Sequence, residues 1–257
     1  MLRSYRTVRA IASVIAKAGE SAMDAYREAR VTDEPHITDR LMGAIETAVG
    51  ASDLARDFRV PDVQDTATEL LTEVDEVDGP DDIEKVAPGA AERRIVWQAM
   101  TLRAGSGSAA HEKRYGADVL GVLSIKTPGY RVSKGFLAQA KRAEPGEPFT
   151  KAEWERLQKQ CEVMLTTTPD AFAMIFSKAR GVRVVSAAAI ASFSGRDVFD
   201  LYDMGLRTFF ERHIESFIGD RRLDKPKIEV LDHIRSQVPR DVRPSAHVLY
   251  LKASLSE

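Results

Sequence analysis

Apolar residues recur at helical spacing over residues 5–29, where Val8, Ile11, Val14, Ile15, Ala18 and Met23 predict an amphipathic helix. Asp33, Glu34 and Pro35 interrupt it, and Thr38 reads as the N-cap of a second helix through Ala48, striped by Leu41, Ala44, Ile45 and Val49. Residues 51–92 lose this period. Gly79-Pro80 and Pro88-Gly89 break the stretch, and only Thr66 to Val74 reads as a short helix. From Arg94 the period shifts towards two. Ile95 to Leu102, Ala117 to Ile125 and Gly135 to Lys141 predict three strands in a consecutive meander, with Gly105-Ser106-Gly107-Ser108 as a loop and Thr127-Pro128-Gly129 as a turn. A helix near 150–166 follows, striped by Trp154, Leu157, Cys161, Met164 and Leu165. Ala171 to Phe176 and Val182 to Val185 read as short buried strands, 199–218 as helical, and His247 to Leu251 as a late strand.

This order predicts an α/β (α+β) fold, a mixed central sheet flanked by helices. With no internal repeat and no second core in the acidic stretch, one domain over 1–257 is expected. Its core spans about 30–190, the insertion about 51–92, and a C-terminal helical and strand extension 195–257. Hydrophobic residues at 44% and charged residues at 30% exclude collagen-like, mucin-like and wholly disordered chains. No window holds 18 consecutive apolar residues, so no membrane-spanning helix is expected. The lone Cys161 excludes an intrachain disulfide and points to a reducing, cytoplasmic setting. Arg3, Arg6, Arg9 and Lys17 precede the first acid, Glu20, as in transit peptides, although an ordinary N-terminal helix is the preferred reading.

The net charge of −2 hides a segregation. Residues 51–95 hold 13 acids against 5 bases, and residues 96–195 hold 14 bases against 8 acids. A basic half is what phosphate contacts need, and Lys113, Arg114, Lys126, Arg131, Lys134 and Arg142 are candidates for them.

One group of polar residues carries chemistry. Asp118 begins the second strand, and Gln139-Ala140-Lys141 ends the third; Gln139 and Lys141 share one strand face, with Phe136, Ala138 and Ala140 on the other. In an antiparallel pair, the start of one strand lies beside the end of its neighbour. A carboxylate, an amide oxygen and an ammonium would converge there. Oxygen ligands of this kind hold Mg²⁺ or Mn²⁺, and such a cation polarises a phosphoryl oxygen and acidifies a bound water. Lys141 could orient that water or stabilise transition-state charge. The bland alternative is an Asp118–Lys141 salt bridge across a hairpin, with Gln139 on a solvated strand face.

Glu112-x5-Asp118 and Gly135-Phe136-Leu137-Ala138-Gln139-Ala140-Lys141 resemble the PD-(D/E)xK nuclease superfamily, in its QxK variant typical of Mrr-type restriction endonucleases. The resemblance implies a restriction-endonuclease-like core of helix, three-strand meander, helix and strand. It further implies metal-dependent hydrolysis of DNA in prokaryotic defence, with a homodimer pairing two active sites to cut both strands. Asp118 would be a metal ligand, Lys141 the catalytic lysine, and Gln139 would occupy the second-acid position. Glu34, or Glu46, is the candidate acid from the helix before the sheet. Gln139 offers a neutral oxygen where an anion is usual, so Glu34 and Glu112 are the acids expected to compensate.

Two further readings stand beside this one. One is a non-catalytic nucleic-acid-binding module with the same fold. The other is an interaction subunit whose acidic segment engages a larger sensing or ATPase partner. Elsewhere the signals are weak. The five histidines lack metal-ligand spacing, Cys161 reads as a small core residue, Gly105-x-Gly107 lacks the setting of a phosphate loop, and Gln158 and Gln160 either orient Lys141 or DNA or are ordinary surface residues.

Overall fold

The structure, a computed structural model, describes residues 5–52, 95–103, 117–127, 130–224 and 247–255. The acidic stretch, the helix expected over 66–74, the loop expected over 105–108, His111, Glu112, Lys113 and Arg114 lie outside the described residues.

Helix α1 (Tyr5–Arg27) is followed by α2 (Glu34–Ala51). The start of α2 differs from expectation. Asp33, not Thr38, is the N-cap, its carboxylate accepting the His36 N–H at 2.9 Å. Pro35 sits in the first turn, where a missing N–H costs no helical hydrogen bond. Thr38 therefore lies inside the helix, and its Oγ1 donates to the Glu34 carbonyl at 2.8 Å. The shift makes Glu34 the first residue of α2.

The strands are β1 (Ile95–Arg103), β2 (Val119–Thr127), β3 (Tyr130–Arg142), β4 (Ala171–Ser177), β5 (Gly181–Ser186), β6 (Asp203–Gly205) and β7 (His247–Leu255). Helix α3 (Lys151–Thr167) links β3 to β4, and α4 (Ala187–Ser192) follows β5. In place of one helix over 199–218 there are a single 3₁₀ turn (Val198–Asp200), β6 and helix α5 (Leu206–Ile214).

All seven strands form one sheet in the order β1-β7-β2-β3-β4-β5-β6. The β2–β3 hairpin is antiparallel, and β3 runs parallel to β4 across α3. The expected three-strand meander is not present. The late strand β7 enters between β1 and β2, antiparallel to the first and parallel to the second. The expected C-terminal extension thus supplies an interior strand. Its alternating Leu249, Leu251 and Ala253 are fully buried, as a strand covered on that face requires.

Helices cover both faces. Val8, Ile11 and Ile15 of α1, Ile37, Leu41 and Ile45 of α2, and Phe209 and Phe210 of α5 pack with Phe136, Ala138 and Ala140 of β3. Trp154, Leu157, Cys161 and Met164 of α3 and Ile190 of α4 pack with Leu120, Val122 and Leu137 on the opposite face. The two faces of β3 divide as its sequence predicts. Gly121 lies opposite Phe136, and a Cβ there would fall 2.2 Å from the aromatic ring, so only glycine lets that ring lie across β2. Among the described residues no helix is long and apolar enough to cross a membrane.

Candidate functional site

Strand β3 outruns its hairpin partner. Val119 pairs with Ala138, so β2 begins where Gln139 to Arg142 continue, while β4 accompanies β3 as far as Phe176 opposite Arg142. Alternate N–H groups of β3 face opposite neighbours. Those of Leu137 and Ala143 donate towards β4, to Asp170 and Phe176 carbonyls. Those of Ala140 and Arg142 face the side from which β2 has withdrawn. Unpaired amides there would cost free energy if left without acceptors.

Two carboxylates fill that role. Asp118, just before β2, accepts the Ala140 N–H at 2.8 Å through Oδ2, and the Gln139 side-chain Nε2 donates to the same oxygen. Glu34, at the head of α2, accepts the Arg142 N–H at 3.2 Å through Oε1, while its Oε2 lies 3.2 Å from Lys141 Nζ. The two main-chain anchors are one strand repeat apart, about 6.6 Å. Lys141 and Glu34 are mostly enclosed, with side chains 15% and 29% exposed.

The orientation of Gln139 is determined by its surroundings. Nε2 has two acceptors, Asp118 Oδ2 and the Ala140 carbonyl at 3.1 Å, so Oε1 must point away. Gln139 is 2% exposed, and Oε1 has no hydrogen-bond partner among the described residues. A buried carbonyl oxygen without a donor is destabilising, and a cation would satisfy it as a hydrogen bond would. Among the described residues no group of three or more His, Cys, Asp or Glu side chains is placed to hold a metal ion. The side-chain oxygens of this flank (the Asp118 carboxylate and Gln139 Oε1, with the Glu34 carboxylate one repeat along) are of the donor type that a hard divalent cation takes.

Asp118, Gln139, Lys141 and Glu34 are therefore brought together on one flank of β3. Glu46 is not among them; it lies twelve residues along α2, about 18 Å from Glu34. Arg142 borders the group, and its guanidinium donates to the Thr32 carbonyl while the residue remains exposed. Lys126 and Arg131 pair at the turn end of the hairpin, eight residues from Asp118 and so about 26 Å away, and do not flank the site.

Lys134 departs entirely from its expected place among the phosphate contacts. It is 1% exposed on the α5 side of the sheet, and its Nζ donates to the His213 carbonyl and, at 2.6 Å, to that of Ile218. It adds a second partner to the His213 carbonyl, which also accepts the Ser216 N–H, and to the Ile218 carbonyl, which also meets His213 Nδ1, and it cannot reach a phosphate. Burial pushes the pKa of its ammonium down to about 8. Gln158 is structural as well, its Nε2 donating to the Ile190 and Phe193 carbonyls at 3.1 and 3.0 Å and so closing α4. Gln160 is buried on the inner stripe of α3. Cys161 is buried there too, and burial pushes its thiol up to about 12, which leaves it inert as a nucleophile.

One pair beside this group is not foreseen by the sequence. His247 Nε2 stands 3.2 Å from Asp39 Oδ1, and the His247 N–H donates to the Asp118 carbonyl at 2.7 Å. Its only sequence signal is position, at the head of a strand whose neighbours alternation cannot name. No protein-family model matches the chain, and neither a curated protein nor a solved structure matches it significantly.

Proposed function

We propose that this chain is a Mg²⁺- or Mn²⁺-dependent endonuclease hydrolysing phosphodiester bonds in DNA, its β2, β3, α3 and β4 following the order of a restriction-endonuclease-like core that departs from that pattern where β7 enters between β1 and β2. The observation that carries the reading is the alignment of Asp118, Gln139, Lys141 and Glu34 along the flank of β3 left open by β2. The bound cation would supply Lewis-acid activation of the phosphoryl group. Asp118 and Gln139 Oε1 would hold it. Lys141, aimed by Glu34, would stabilise negative charge growing on the phosphoryl oxygens. Arg142, exposed at the rim, would take a neighbouring phosphate. The role in prokaryotic defence and the pairing of two copies for double-strand cleavage rest on the family resemblance alone.

A second reading is favoured by one observation. Both carboxylates already serve as acceptors for β3 amides, as a purely structural pair would. That reading makes the chain a nucleic-acid-binding module without cleavage. Incubation of supercoiled plasmid with Mg²⁺ and the purified chain separates the two. Nicking that disappears in Asp118→Ala and Lys141→Ala supports the nuclease. Salt-sensitive DNA binding with no nicking in Mg²⁺ or Mn²⁺ supports the binding module.

A further inference from the structure

Asp118 belongs to no strand, yet its backbone is held on both sides. Its N–H donates to the Ala138 carbonyl at 2.8 Å, and its carbonyl accepts the His247 N–H at 2.7 Å. The first of these bonds comes from the strand that carries Gln139 and Lys141. The second comes from β7, whose first residue is pinned in turn: His247 is 5% exposed, with Nε2 3.2 Å from Asp39 Oδ1.

Asp39 lies on α2 five residues after Glu34. One helix thus presents an acid to the end of β3 and a second acid to the start of β7. The His247 ring itself is no ligand for the candidate cation. His247 aligns with Val119 across the β2–β7 ladder and shares the face of Leu249 and Leu251, whereas the Asp118 carboxylate bonds Gln139 on the α3 face.

Stability alone does not call for a polar pair in that place. Enclosing an imidazole and a carboxylate costs desolvation, and a pair of apolar side chains of similar volume, set among Leu249, Leu251 and the α2 core, would avoid that cost. We propose that His247 and Asp39 are positioning residues for Asp118. By fixing the head of β7 they fix the Asp118 backbone, and so the place from which its carboxylate addresses a cation. The assignment rests on the nuclease reading.

The test uses the full chain, with Mn²⁺ affinity from calorimetric titration, melting temperature, and plasmid nicking across a range of Mg²⁺. His247→Leu, which takes the imidazole from the Asp39 carboxylate, is expected to stay folded with a melting temperature no higher than wild type and to need about tenfold more Mn²⁺ for half-saturation, the lower end of what loss of an outer partner costs a metal site. His247→Gln, whose amide can still donate to Asp39, is expected to recover most of that affinity. Asp39→Asn, at a partly exposed position that tolerates the change, should shift Mn²⁺ affinity in the same direction. Mn²⁺ affinities of His247→Leu and Asp39→Asn within about twofold of wild type, with Asp118→Ala abolishing binding, would overturn the positioning role and leave the nuclease standing. A wild-type chain that neither binds Mn²⁺ nor nicks DNA overturns both.

Discussion

Strand β3 carries two lysines seven residues apart, and the fold treats them oppositely. Lys134 lies on the face covered by α1, α2 and α5, where its donors meet the carbonyls of His213 and Ile218. Lys141 lies at the end of the strand where β2 has stopped, and its partner is a side chain, Glu34, that arrives from another element. The first environment is closed by backbone and has no room for exchange. The second is closed by a carboxylate that a ligand could engage. Residue type and strand membership therefore say little about role; what decides it is whether the neighbouring strand continues.

The sharpest way to test that contrast is to give both lysines the same change. Lys141→Met is expected to lower plasmid nicking by about 10²–10³-fold, the usual loss of a charge-stabilising donor, while costing under about 1 kcal/mol of stability. Lys134→Met should do the reverse. It removes the ammonium bonds to the His213 and Ile218 carbonyls, which keep the Ser216 N–H and the His213 ring, and should lose about 1–3 kcal/mol in urea unfolding, with nicking per folded molecule preserved. Alkaline titration sharpens it further. The folded Lys134 releases its proton near 8 and the unfolded one near 10.5, so between those values the unfolded state holds more protons and stability rises with pH. Lys134→Met should remove that rise.

The same environment predicts an acid limb. His213, fully buried among Phe136, Phe209 and Phe210, is held neutral down to about 3 by desolvation, helped by the Lys134 charge. Below the ordinary histidine value the unfolded chain takes a proton that the folded chain refuses. Stability should therefore fall by about 2 kcal/mol between roughly pH 6 and pH 4, and His213→Phe should flatten this limb in pH-dependent unfolding. The smallest effect is expected on the Lys141 side. Thr150 and Glu153 cap α3 reciprocally, with the Glu153 carboxyl held below its usual range by the Thr150 bonds. Thr150→Ala should cost about 1 kcal/mol and leave metal dependence unchanged.

Legibility in the sequence follows the range of the interactions. Helix α3 is readable because its apolar stripe and capping pair are local. The proximity of Asp118 to Gln139 follows from a hairpin, whose short turn fixes the register for every later pair. Pro35 hides the start of α2, because proline breaks a helix interior yet suits a first turn. The span expected for α1, 5–29, overruns its helix by two residues, since Ala29, at φ 56°, takes the left-handed conformation that a glycine would have announced. Lys134 resembles a surface residue because a charge on a strand usually is one, and nothing local reveals the end of α5 above it. The place of β7 is not legible at all: alternation marks a buried face but does not name the neighbouring strands.

The position of β7 also orders the chain in time. Strand β1 is synthesised about 150 residues before the strand it pairs with, and β2 must likewise wait for its parallel neighbour. Until β7 docks, an apolar strand has an unclaimed edge, and non-local pairings of this kind are slow and exposed to aggregation. Because the Asp118 carbonyl is itself held by His247, the candidate site takes its shape only after β7 has docked, however early its other residues are made.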